Sequence, residues 1–95
     1  MREYPRYEVT LTARLDYHGT STEVSVYDIS EGGARIDIMN NLKIGDEITL
    51  TFPGMKAITG TIARRGGDSL GLCFSPSRLR PEELRDLVTA QDRAA

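Results

Sequence analysis

Two short stretches hold the residues whose types and spacing could do chemistry. Arg2-Glu-Tyr-Pro-Arg6 sets two guanidiniums four positions apart, and Asp28-Ile-Ser30-Glu-Gly-Gly33 sets an acid, a hydroxyl and a glycine between two apolar runs. A guanidinium is a planar fork that can bond a phosphate or a base edge through two hydrogen bonds, or lie flat on a ring. An ionised carboxylate only accepts hydrogen bonds, a hydroxyl donates or accepts, and a glycine lets another group approach the backbone without meeting a Cβ. A plain connection between two strands needs only residues that tolerate the turn's dihedrals. The second stretch carries more chemistry than a turn requires, and Arg2, Arg6, Asp28, Ser30 and Gly33 are the candidate ligand-binding residues.

Nothing else in the chain supports catalysis or a metal, so no catalytic residue, metal ligand or cofactor is expected. His18 is the only histidine and falls in a turn, which marks it as a solvated residue rather than a base. One His and one Cys cannot supply a zinc site in a monomer. Cys73, embedded in LGLCF, reads as an inert thiol in or near the core. The carboxylate pairs Glu82 with Glu83 and Asp46 with Glu47 are adjacent in sequence, so their side chains point apart.

Composition narrows the ligand. Twelve basic against 14 acidic residues give a net charge of -2, which argues against the broad phosphate grip of a DNA- or RNA-binding surface. Any anion must be met locally, and ten of the 12 basic residues are arginine. A chain of 95 residues makes one modest core, and a 39% hydrophobic and 27% charged composition is that of a folded domain. No apolar run approaches the roughly 18 residues of a membrane span, the N-terminus lacks a secretion signal, and the lone cysteine cannot form an internal disulfide. A reducing cytoplasm and no membrane insertion are the expectations.

The elements that must position the candidate residues follow from hydropathy. Val9, Leu11, Ala13, Leu15 and Tyr17 alternate with polar residues, the period of a half-buried strand. His18 to Ser21 turns the chain into a second strand through Val24 and Val26, so the first two strands form an antiparallel hairpin. Ala34, Ile36 and Ile38 mark a third strand, Ile48, Leu50 and Phe52 a fourth, Ile58 and Ile62 a fifth, and Leu70, Leu72 and Phe74 a sixth. Leu84, Leu87 and Val88 recur at helical spacing after Pro81, with Glu82 and Glu83 near the helix's positive end. Six short strands of this kind hide their edges best by closing, so the expected fold is all-β: a six-stranded antiparallel β-barrel with a C-terminal α-helix. The helix stripe suits capping the barrel better than meeting a partner.

R-x-x-x-R followed some twenty residues later by D-x-S-x-x-G, inside an all-β chain of this size, resembles the PilZ domain family, small six-stranded barrels that bind the bacterial second messenger cyclic di-GMP. The resemblance extends to DISEGGARI, KIGDEITLTF and the GLCF run before the helix. It implies one PilZ domain over 1–95, with an arginine segment at 1–8, a barrel at 9–75 and a helix at 81–92. It implies that Arg2 and Arg6 are the motif arginines and that Asp28, Ser30 and Gly33 are the motif turn residues. Arginine suits phosphate, guanine edge and purine face alike, and the Asp28 carboxylate would accept from the N1 and N2 hydrogens of guanine. The segment before Val9 would fold back towards the second-to-third strand connection, and binding would order it and so change the surface offered to a downstream protein partner. Met1 stands where many members carry a further arginine, which leaves one or two ligand copies per site open. The alternative reading keeps the barrel as a protein-interaction module that binds no nucleotide.

Overall fold

A computed structural model of the chain describes residues 5–75 and 78–94. Its elements in order are β1 (Tyr7–Tyr17), β2 (Thr20–Ser30), β3 (Gly33–Asp37), β4 (Glu47–Thr51), β5 (Ile58–Arg65), β6 (Ser69–Phe74) and α1 (Pro81–Ala94). The six strands form a closed antiparallel barrel in the order β1-β2-β3-β6-β5-β4. Closure rests on a short seam in which Arg14, Leu15 and Asp16 of β1 oppose Thr51, Leu50 and Thr49 of β4. Joining the two outermost strands in this way leaves the sheet with no free edge to recruit another chain.

The interior is filled by the alternating residues that the hydropathy pattern marks. Leu15, Ile29, Ile36, Leu42, Leu50 and Leu70 are fully buried, and Phe52, Ile62 and Val26 nearly so. Two-residue turns set the register on either side of β2. His18 and Gly19 both have positive φ (48° and 77°), the geometry that matches the twist of a tight hairpin, and Tyr17 pairs with Thr20 across them. His18 is exposed there, as a turn residue should be. Glu31 and Gly32 form the other turn, and Ser30 pairs with Gly33.

β1 starts at Tyr7, earlier than the alternation from Val9 marks, because a bulge between Glu8 and Leu11 breaks the period while Tyr7 and Glu8 still pair with Ile29 and Asp28. Tyr7, at the start of the strand, is 41% exposed. Tyr7 and Glu8 thus continue the strand, and the rest of the segment expected to fold back falls largely outside the described residues.

α1 begins at Pro81, whose missing N–H costs nothing in a first turn. The Glu83 carboxylate accepts a hydrogen bond of 2.9 Å from the Arg80 backbone N–H, one half of a capping box, and the Arg80 carbonyl accepts the first helical bond, from Leu84. Leu84 and Leu87 are buried with Leu79 in the barrel's own core, so this apolar stripe caps the barrel, and α1 packs on β1.

One glycine of the expected site has a structural reason to be glycine. Gly33 does not have positive φ; a Cβ there would lie 2.2 Å from the backbone carbonyl oxygen of Leu72 on the neighbouring strand. Gly33→Ala should lower stability by about 1–3 kcal/mol through this clash with rigid backbone. Gly67→Ala, where an added Cβ meets nothing within 4 Å, should stay within about 0.5 kcal/mol. Urea titrations of the two variants beside the parent chain measure both.

Candidate functional site

The two-residue turn between β2 and β3 sets which side chains meet. With Ser30 opposite Gly33 the ladder runs Ile29 to Ala34 and Asp28 to Arg35. A bulge between Val26 and Asp28 makes Tyr27 the extra residue and resets the pleat, so Ile29 faces the core while Asp28 and Ser30, on the other face, are buried as well. On the other side of β2, Glu8 pairs with Asp28 and Tyr7 with Ile29, which carries Arg6 to the end of the hairpin.

Asp28 collects the result. Arg6 Nη1 donates to Asp28 Oδ1 at 2.9 Å, and Arg35 Nε donates to Asp28 Oδ2 at 2.8 Å. The carboxylate side chain is only 12% exposed, so each oxygen is satisfied by a charge-assisted bond instead of by water. The hydrogen bond from Arg35 to Asp28 raises the pKa of that guanidinium above its ordinary value. Arg35 also lies over the Tyr27 ring, 5.3 Å from its centroid. Tyr27 is held in turn: its hydroxyl donates to Asp37 Oδ1, and the Ser25 amide donates to Asp37 Oδ2 at 2.7 Å. Ser30 is buried, and its hydroxyl donates weakly, at 3.5 Å, to the carbonyl of Gly33 across the turn.

Beside this network runs an open groove of about 700 Å³. Among the described residues four arginines line it, Arg6, Arg35, Arg64 and Arg78, and no carboxylate does. In a chain of net charge -2 this is the local concentration of positive charge that an anion would need. Among the described residues no group of three or more His, Cys, Asp or Glu could hold a metal ion, and no helix is long and apolar enough to cross a membrane.

Of the sequence-predicted site residues, Arg6, Ser30 and Gly33 line the groove and Asp28 stands behind them as the anchor of two arginines. Arg2 lies outside the described residues. Asp28 and Ser30 are strand residues and Gly33 opens β3, so the turn itself is only Glu31-Gly32. Cys73 departs from expectation: it is exposed and lines the groove, because β6 turns Leu72 and Phe74 inward and Cys73 out. Sequence reading missed Arg35, Arg64 and Arg78. Arg35 was within reach, since a two-residue turn at Glu31-Gly32 places Asp28 opposite Arg35 by counting alone. Arg64 was not, because a bulge between Ile62 and Arg64 shifts the register of β5 against β6.

The structure is thus a small closed β-barrel with an arginine-walled groove beside a carboxylate anchor. The PilZ domain profile matches residues 1–90, and the chain belongs to the PilZ domain family. Among solved structures, MotI/DgrA, the inhibitor of motility of Bacillus subtilis, superposes with a TM-score of 0.70 at 16% identity, covering 99% of this chain and 51% of its own. PlzA of Borreliella burgdorferi, solved in complex with c-di-GMP, gives 0.69 at 18% identity over 94% of this chain and 40% of its own. The PilZ domain of Escherichia coli YcgR, solved with c-di-GMP, gives 0.65 at 15% identity over 98% and 92%. The chain thus spans about half of MotI/DgrA and two fifths of PlzA. At these identities the likeness establishes the fold. No curated protein matches the sequence.

The Tyr27–Asp37 pair yields a pH signature. The hydrogen bonds from Tyr27 and then Ser25 hold the Asp37 carboxyl below its ordinary value, and the bond to Asp37 pushes the Tyr27 hydroxyl up. A depressed carboxyl stabilises the fold above its unfolded pKa and loses that contribution as pH falls through the folded value. A raised phenol stabilises below its unfolded pKa and loses the contribution as pH rises through the folded value. Tyr27→Phe should therefore melt below the parent by a constant margin between about pH 5 and 9, with the margin shrinking in stronger acid and above about pH 10. Melting curves across that range measure it.

Proposed function

We propose that this chain is a receptor for cyclic di-GMP, taking the messenger in the arginine-walled groove and relaying it through a change in the surface it offers a protein partner. The observation that carries this reading is the meeting of Arg6 and Asp28, residues 22 apart in sequence and one from each family motif, at the rim of a groove that no carboxylate lines among the described residues. Two neighbours in fold, PlzA and the YcgR domain, were solved with c-di-GMP. Arg6, Ser30 and Gly33 contribute the described part of the site, with Arg2 as the second motif arginine.

The bond between Arg6 and Asp28 supplies a mechanism. Guanine's N1 and N2 hydrogens are donors, as the Arg6 guanidinium is, so the base edge can take the place of Arg6 on the Asp28 carboxylate. Arg6 is then released to grip a phosphate, while Arg35 keeps the other oxygen of Asp28 satisfied. The exchange moves the start of β1, and the messenger is read as a rearranged N-terminal surface. No bond is made or broken in a substrate; the domain acts by binding.

Calorimetry and thermal shift test the reading directly. Ligand at about 100 times its dissociation constant should add roughly 2.7 kcal/mol of stability. Arg6→Ala removes a charge-assisted contact and should weaken binding about tenfold to hundredfold. A parent chain whose melting point no dose of cyclic di-GMP moves would instead be an interaction module that keeps the barrel without the ligand. Amide exchange of Arg6 to Glu8 separates the relay from the binding: protection should change with ligand, and unchanged protection alongside intact binding would exclude the exchange.

A further inference from the structure

A second open cleft, of about 530 Å³, lies at the seam of β1 and β4 and shares no lining residue with the arginine groove. Three of its residues stand in one row: Glu23 of β2 pairs with Arg14 of β1, and Arg14 with Thr51 of β4. Directly opposed residues of antiparallel strands share a face, and this face is the outer one, because Ala13, Leu15, Val24 and Leu50 beside them are buried. Pro53 and Met55, just past the end of β4, add an apolar wall. Acid, base, hydroxyl and apolar surface thus border a single cleft.

Opposite charges that face each other across two strands ordinarily pair. Arg14 and Glu23 do not. Arg14 donates from Nε to Asp16 Oδ2 at 3.2 Å, along its own strand, and the Ser21 hydroxyl donates to the other oxygen of Asp16. Neither the terminal nitrogens of Arg14 nor the Glu23 carboxylate has a hydrogen-bond or ion-pair partner among the described residues. The third member of the row is unanswered as well. Thr51 Oγ1 is sealed from solvent, and among the described residues it is the one buried side-chain polar atom without a hydrogen bond. Buried hydroxyls in native structures nearly always have a partner, so three unpaired polar groups in one row need a common reason.

We propose that this cleft is a binding site for a small zwitterion of the α-amino acid class with an apolar side chain. A simple anion would be opposed by Glu23, a simple cation by Arg14, and a wholly apolar ligand would strip water from both charges. A zwitterion answers each charge with its opposite. Its carboxylate accepts from the Arg14 terminal nitrogens and from the Thr51 hydroxyl, its ammonium donates to Glu23, and its side chain lies on Met55 and Pro53. Met55, unbranched and adaptable, is the part of the wall that yields to let the carboxylate reach Thr51. Strands about 4.8 Å apart put the Glu23 and Thr51 backbones about 10 Å from one another, room for one amino acid among the three side chains. A free amino acid and a short peptide carry the same two charges, and the cleft volume lies within the usual range for small ligands. The site stands apart from the receptor function and does not depend on it.

NMR titration of the isotope-labelled full chain tests the site, with L-leucine and leucyl-leucine as zwitterions and 3-methylbutylamine and 4-methylpentanoate as analogues of one charge. Leucine or the dipeptide should shift the amide signals of Arg14, Glu23 and Thr51 saturably, and the tighter of the two identifies the source. The amine lacks the carboxylate and 4-methylpentanoate lacks the ammonium, so each should bind about tenfold weaker or worse. Arg14→Gln and Glu23→Gln, both at exposed positions, should each weaken the zwitterion about tenfold. An analogue of one charge that matches the zwitterion would overturn the proposed chemistry, as would parent-like affinity in both variants. No saturable shift with either zwitterion up to about 50 mM, past the millimolar range expected of so few contacts, would overturn the site.

Discussion

Everything at the functional end of this barrel depends on one nearly buried carboxylate. Asp28 is shielded enough that leaving its oxygens unpaired would be costly, and the fold answers with two arginines, one delivered by the strand on each side. The same two bonds aim the remaining donors of Arg6 and Arg35 into a common groove. A residue whose type suggests base recognition is, in the free protein, the post from which the recognising arginines hang.

That arrangement is economical because the barrel provides its precision. Gly33 lets β3 lie against the Leu72 carbonyl, and Gly60 does the same for β5, where a Cβ would fall 2.6 Å from the Cys73 carbonyl oxygen. With β6 drawn in on both sides, its outward positions Gly71 and Cys73 form part of the groove wall. The hairpin turn is tied down as well: the Gly32 carbonyl accepts from Phe74 N–H at 2.9 Å and the Glu31 carbonyl from Leu79 N–H at 3.0 Å. The segment entering the capping helix is thereby coupled to the turn between the motif residues.

Charge follows the same logic. Among the described residues an acidic chain gathers four of its arginines around one groove and no carboxylate lines it, with Asp28 set behind and Asp37 turned to Tyr27. The result is a local concentration of positive charge on a chain whose net charge is -2. The likeness to PlzA and to the YcgR domain is at 18% and 15% identity, so what it establishes is this scaffold.

By itself the sequence determined the six strands, their alternation, the helix after Pro81 and the two motifs, because these depend on side-chain period and on residue types with few alternatives. The partner of Asp28 across the hairpin was also legible, by counting from a two-residue turn. Tertiary structure alone decided the rest. Bulges beside Glu8, Asp28 and Arg64 reset the pleat at three points, so the faces of Tyr7, Ser30 and Arg64 follow from pairing geometry rather than period. The row from Asp28 through Arg35 and Gly71 to Arg64 joins strands far apart in sequence, and only the strand order of the sheet sets β3 beside β6. Gly33 had to be glycine because a neighbouring backbone occupies the space of its Cβ, which no property of the residue read alone records, while Cys73 came outward because Leu72 and Phe74 on either side of it turn inward.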